Sequence, residues 1–174
     1  MSRAVLSLGS NIGDRAANLR GALATLRAAG ARVVAVSPVY ATAPWGGVEQ
    51  EDFLNAVVVV EDPASRPRDW LARARGAESR AGRTRDVRWG PRTLDVDVLD
   101  VDGTTSDDPE LTLPHPRAAE RAFVLVPWLD VDPDARIAGH GRVADLLAAL
   151  PAAERDGVRL DATTLGPTTM GEAR

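Results

Sequence analysis

Apolar and polar positions alternate most clearly over residues 93–101, where Leu94, Val96 and Val98 interleave with Asp95 and Asp97. That period of two predicts a strand with the aliphatics on one face and both carboxylates on the other. Residues 4–8 form a short apolar run closed by Gly9-Ser10-Asn11, predicting a buried first strand. A helix follows. Asp14 is placed to cap it, Leu19, Leu23 and Leu26 recur at helical spacing, and Gly30 stops it. Residues 33–37 and 39–42 read as extended segments separated by Pro38, and the Gly/Pro-rich residues 43–50 as a loop. Phe53-Leu54-Asn55-Ala56 opens a strand that runs through the continuous β-branched stretch Val57–Val60 to Glu61, which predicts a central strand covered on both faces. A second long helix starts near Ser65-Arg66-Pro67 and ends near Gly82. After residue 101 come a turn at Asp102-Gly103, a polar hairpin or loop, an extended segment at 112–116, a helical turn at 117–121 and an apolar return to the core at 123–129. Residues 143–150 read as a short amphipathic helix.

This order, β-α-β-β-α-β with appendages, predicts an α+β fold of the ferredoxin-like kind, a mixed sheet with helices packed on it. One domain is expected over residues 1–150. Beyond it the pattern fades, and residues 151–174 read as a polar C-terminal tail, open to disorder and dispensable for folding. A fold of this type hosts many activities, so function has to come from the site.

Composition narrows the field. The chain is 44% hydrophobic and 26% charged, as globular proteins are, and holds no apolar run of membrane-spanning length. It lacks cysteine and a signal-peptide pattern, consistent with a cytoplasmic protein. A net charge of −4 argues against bulk nucleic-acid binding. All 21 basic residues are arginine, which makes any single arginine weak evidence. Their clustering says more. Residues 66–92 hold nine arginines against three acids, whereas residues 95–110 hold seven acids and no base. An anion-binding stretch abutting a cation-binding one suits a metal–polyphosphate site.

Within that stretch, Asp95 and Asp97 on one strand face have Cα atoms roughly 6.5–7 Å apart at ~3.3 Å per residue. Two rigidly held carboxylates suit a hard cation such as Mg²⁺, although the same pattern describes an ordinary solvated strand face. The two phenylalanines, Phe53 and Phe123, each lie near a polar group, Asn55 and Arg121. Local sequence favours core plugs, as for most phenylalanines, over two rings sandwiching a flat heterocycle whose edge an Asn amide reads. His115 stands alone between prolines, and with no second histidine at ligand spacing a zinc site is rejected. Leu8-Gly9-Ser10-Asn11 lacks the glycine fingerprint of a nucleotide loop and reads as architectural.

Arg88-Trp89-Gly90-Pro91-Arg92-Thr93-Leu94-Asp95-Val96-Asp97 closely resembles the signature of the 6-hydroxymethyl-7,8-dihydropterin pyrophosphokinase family. Residues 40–46 and 52–56 resemble that family's pterin-binding motif, and the likeness runs over roughly residues 6–133. The resemblance implies pyrophosphoryl transfer from ATP to the hydroxymethyl group of a dihydropterin, with two Mg²⁺ ions held by Asp95 and Asp97. It implies pterin binding by Thr42, Trp45, Phe53, Asn55 and Phe123, with Trp89 in a closing lid. ATP would be met by Glu78, Arg83, Arg85, Arg92, Val98, Thr112, His115 and Arg121, with Arg83 and Arg92 neutralising charge on the transferred group. One residue fewer separates Gly82 from Trp89 than the family pattern suggests, which leaves the roles of Arg83 and Arg85 interchangeable. Pro116 and Glu110 also depart from that pattern. The expected partners are ATP and the dihydropterin, with no nucleic acid and no membrane, for a monomer. Two rival classes share parts of the pattern: a metal-dependent nuclease or nucleotidyltransferase, and a ferredoxin-like RNA-binding module. The first needs a basic track that the acidic stretch after Asp97 opposes, and the second a basic aromatic sheet face.

Overall fold

The computed structural model describes residues 2–44, 50–82 and 93–166. In chain order the elements are β1 (Ser2–Ser10), α1 (Arg15–Ala28), β2 (Arg32–Val36), β3 (Tyr40–Thr42), β4 (Phe53–Asp62) and α2 (Pro67–Arg80). There follow β5 (Asp95–Val101), β6 (Ser106–Asp108), β7 (Leu111–Leu113), a 3₁₀ turn (Ala118–Glu120) and α3 (Ala122–Val131). The chain continues as β8 (Arg136–Ile137), β9 (Gly141–Arg142), α4 (Val143–Ala149), α5 (Ala152–Asp156) and β10 (Arg159–Leu160).

The main sheet runs β10-β3-β4-β1-β5, with β2 also paired to β4. Every pairing in it is antiparallel. The reason lies in the crossovers. β1 and β2 both oppose β4, while β4 and β5 both oppose β1, so each helix-bearing connection passes over an intervening strand. Strands joined through α1 or α2 therefore run the same way without touching, which is the split arrangement of the ferredoxin-like order.

Local chemistry sets the helix limits as the sequence predicts. The Asp14 carboxylate accepts the Ala17 N–H at 2.9 Å, capping α1, and Gly30 just past its end adopts φ +88°. Pro67 occupies the first position of α2, where its missing N–H costs nothing. Alternation then sorts the sheet's side chains between two cores. Ala4, Leu6 and Leu8 of β1, Leu54, Ala56, Val58 and Val60 of β4 and Val96 and Val98 of β5 pack against Leu19, Leu23 and Leu26 of α1 and Trp70, Ala74 and Ala77 of α2. On the opposite face Val5, Val57 and Leu99 meet Val124, Leu125 and Trp128 of α3, with Ile137 and Val143. Each fully buried aliphatic of this kind contributes about 1.5–3 kcal/mol. β4 is thus covered on both faces, as its unbroken apolar run predicts.

Two expectations need correcting. Residues 123–129 form not simply a return to the core but the body of α3, with Pro127 inside the helix. Past Leu150, where a polar tail was expected, α5 and β10 are formed, β10 pairs with β3, and Leu165 is buried in the α1/α2 core. Elements of five and two residues are too short to show periodicity, so the pattern of the sequence could not announce them. Among the described residues no helix is long and apolar enough to cross a membrane.

Candidate active site

The site lies on the sheet face opposite α1 and α2, where the α3-side core stops. Register places Asn55, Gly9 and Asp95 side by side across β4, β1 and β5, with Val57, Ser7 and Asp97 in the next row. Thr42 stands opposite Phe53 at the mouth of β3 and β4. A cavity of about 380 Å³ opens over these rows, lined among others by Phe53, Asn55, Asp95, Asp97, Arg121 and Phe123. Residues some 70 positions apart thereby face one space.

At one end the chemistry is that of a flat polar ligand. Asn55 is 3% exposed, and its Nδ2 donates to Thr42 Oγ1 at 2.8 Å, which fixes the orientation of the amide. Phe53 and Phe123 supply two rings to the same cavity. Gly9 forms its floor. A Cβ there would come within 3.3 Å of Asn55 Oδ1 and 3.8 Å of the Phe53 ring, so the missing side chain leaves the amide room.

The other end is ionic. Arg121, at the junction of the 3₁₀ turn and α3, places Nη1 3.4 Å from Asp97 Oδ2 and its guanidinium 5.6 Å from the Phe123 ring centre. His115 Nε2 lies 3.7 Å from the same Asp97 oxygen. The His115 Nδ1 accepts the Arg117 N–H at 3.2 Å, which puts the imidazole proton on Nε2, toward Asp97. Burial holds His115 below the ordinary histidine range, and the Asp97 carboxylate only partly opposes this, so the ring is neutral near pH 7. Asp95 and Asp97 both line the cavity from one strand face, and such an all-oxygen, anionic pair fits a hard divalent cation.

Other residues singled out in the sequence are placed elsewhere. Glu78 is buried, and its Oε1 accepts the Val96 N–H at 3.0 Å, satisfying the outer edge of β5 between the two aspartates. Val98 points into the α1/α2 core, away from the cavity. The Thr112 hydroxyl donates to the Asp108 carbonyl at 3.2 Å, within the β6–β7 hairpin. Trp45, Arg83, Arg85, Trp89 and Arg92 lie outside the described residues, and with Trp89 the lid expected around it. Conversely, Ser7, Gln50, Arg117, Leu150 and Glu154 line the cavity without having been singled out, as does Gly9, which the sequence reads as architectural. Ser7 and Gly9 were findable, being the small alternate positions beside Leu6 and Leu8. Glu154 carries no comparable signal.

Residues 5–133 match the model of the 7,8-dihydro-6-hydroxymethylpterin-pyrophosphokinase family. The chain belongs to this family. Among curated relatives, the 2-amino-4-hydroxy-6-hydroxymethyldihydropteridine pyrophosphokinase of Mycobacterium leprae is 53% identical over 187 aligned residues, covering 100% of this chain and 96% of the relative. The enzyme of the same name from Mycobacterium tuberculosis is 51% identical, covering 92% and 90%. That of Pseudomonas aeruginosa is 40% identical, covering 87% and 93%. Among solved structures, the HPPK-DHPS of Plasmodium falciparum superimposes with a TM-score of 0.65 at 15% identity. The match covers 84% of this chain and 44% of that longer one, and it shows a shared fold.

Proposed function

We propose that the two ends of this one cavity carry the family's reaction, with the Asn55 end taking the pterin and the Asp95/Asp97 end the ATP phosphates. The enzyme transfers pyrophosphate from ATP to 6-hydroxymethyl-7,8-dihydropterin in folate biosynthesis, leaving AMP. For AMP to leave, the hydroxymethyl oxygen must attack the β-phosphorus. A bond forms there, the bridge to the α-phosphate breaks, and the hydroxyl proton is lost. Such transfers ask a protein chiefly for positioning and charge stabilisation.

The observation that carries the assignment is that the paired carboxylates and the Phe–Asn–Phe group line the same cavity. Phe53 and Phe123 would stack on the pterin faces, while the Asn55 amide, held by Thr42, reads its donor–acceptor edge. Asp95 and Asp97 would hold two Mg²⁺ ions, which when bound offset phosphate charge and acidify the attacking hydroxyl. Arg121 would neutralise charge on the polyphosphate and His115 would donate a hydrogen bond from Nε2, a reading supported by their positions beside Asp97. Arg83, Arg85, Arg92, Trp45 and Trp89 complete this reading from the sequence alone, as charge-neutralising and closing groups. The reading keeps the monomer expected from the sequence, and a cytoplasmic location fits because both substrates are soluble metabolites. Incubating the protein with Mg²⁺, ATP and hydroxymethyldihydropterin should yield AMP in step with pterin diphosphate. ADP, or inorganic phosphate alone, would contradict the assignment.

A further inference from the structure

Residues 151–166 are fastened to the pterin end of the cavity at several points. β10 pairs with β3, Arg159 opposite Ala41 and Leu160 opposite Tyr40, and the Asp161 N–H donates to the Val39 carbonyl at 2.8 Å. Arg159 Nη2 lies 2.6 Å from Asp52 Oδ2, on the residue immediately before Phe53. Arg20 donates from two nitrogens to the Thr164 carbonyl at 3.1 and 3.0 Å, and Leu165 is 8% exposed within the α1/α2 core. α5 packs against α3, the helix whose first turn carries Phe123. Only one residue of α5 is not exposed: Glu154, which lines the cavity. No hydrogen-bond or ion-pair partner for its carboxylate exists among the described residues.

We propose that residues 151–166 act as a positioning strap for the pterin, setting β3 and the start of β4 so that Thr42, Phe53 and Asn55 present one fixed recognition edge. The inference rests on reading this cavity as the pterin site. β3 is three residues long, and without β10 it would be an edge strand held from one side only. A shift of its backbone moves Thr42, and with Thr42 the hydrogen bond that orients Asn55. Small displacements of this kind are enough to spoil binding geometry. The strap also acts selectively. Strand order puts β10 and β3 at one edge of the sheet and β5, with Asp95 and Asp97, at the other, separated by β4 and β1. Loosening the strap should therefore weaken the pterin and spare ATP.

The test uses the full-length chain. Arg159→Glu breaks the tie to Asp52 at an exposed position, and should raise the KM for the pterin roughly fivefold, the scale of one lost ion pair. The KM for ATP, and kcat at saturating pterin, should stay within about twofold. Arg159→Lys should restore the pterin KM. Leu165→Ala, remote from the cavity, should give the same split, with thermal unfolding measured alongside. An unchanged pterin KM in both Arg159→Glu and Leu165→Ala, or an equal loss for both substrates, overturns the strap. Phe53→Ala separates the two levels of the argument. If it abolishes pterin binding while the strap variants do not, only the strap fails; if it too leaves pterin binding intact, the reading of the cavity fails with it.

Discussion

Asp97→Asn tests the ionic end of the site most sharply, because its effects on fold and turnover differ in size. The substitution keeps the shape of the side chain and removes one negative charge. In the folded protein that charge faces Arg121 at 3.4 Å and His115 at 3.7 Å. At an effective dielectric constant of about 20, a unit pair at the Arg121 distance is attracted by roughly 5 kcal/mol before desolvation. Both partners are partly solvated, at 21% and 31% exposure, so the net loss of stability is only about 1 kcal/mol. Val96 and Val98 still anchor the strand in the α1/α2 core. A chain of this size should then melt only about 2–4 °C lower. Turnover should suffer far more. Removing one preorganised electrostatic group from a transition state typically costs about 3 kcal/mol, a hundredfold or more. The assay follows AMP release against Mg²⁺ concentration, with calorimetric unfolding of the same preparation. Near-normal Mg²⁺-dependent AMP release would reduce the aspartates to a solvated strand face. A melting point lower by ten degrees or more, roughly 3 kcal/mol or above, would make Asp97 a structural residue.

At the pterin end, Phe53→Ala and Phe123→Ala should each weaken pterin binding by about 1–3 kcal/mol and ATP binding much less. Unfolding of both variants with no selective loss of pterin would return the rings to the core. Gly9→Ala should cost about 1 kcal/mol of pterin affinity, because its Cβ crowds an Asn55 amide already held by Thr42. Unchanged affinity, measured by titration, would show that this part of the floor lies outside the recognition edge. Burial first, and then the hydrogen bond and charge of Asp130, push the Tyr40 phenol up to about 12. The folded state thus keeps the proton longer than the unfolded one, so the stabilisation is complete below the ordinary tyrosine value near 10 and is lost as pH rises through about 12. Tyr40 is the single tyrosine, so phenolate absorbance reports it alone, and a midpoint near 10 in folded protein would contradict the Asp130 contact.

The helices on one face of the sheet were legible in the sequence because each carries its own punctuation. Asp14 and Gly30 bracket α1, and Pro67 opens α2. α3 was not legible as a helix because Pro127 interrupts its amide ladder in mid-course, and burial of Val124, Leu125 and Trp128 overrides that local penalty. α5 and β10 escaped for a different reason. β10 is held by partners more than a hundred positions away, Asp52 and β3, and α5 by α3, to none of which a local pattern points. In the site, Asp95, Asp97, Phe53 and Asn55 could be picked out because strand alternation and contiguous motifs carry them. What the motifs do not convey is which residues converge. Val98 directly follows the cavity-lining Asp97 yet fills the helix-side core, and Glu78 on α2 secures the edge of β5 instead of facing the cavity.

The position of the cavity follows from one strand. Along the face of β1 that looks toward α3, the residues are Val5, Ser7 and Gly9. Val5 is large enough to join Trp128 and Leu125 in the core. Ser7 and Gly9 are not, and there the packing gives way to open volume flanked by Asn55 on β4 and Asp95 and Asp97 on β5. Protein interiors close around large side chains at near-crystalline density, so an opening of this size needs small residues beneath it. The Asn55 amide and the Asp95 and Asp97 carboxylates can face one space because β1, the strand between them, projects almost nothing at those two positions. Core and site are thus continuous, and the boundary between them is drawn by side-chain size at alternate residues of a single strand.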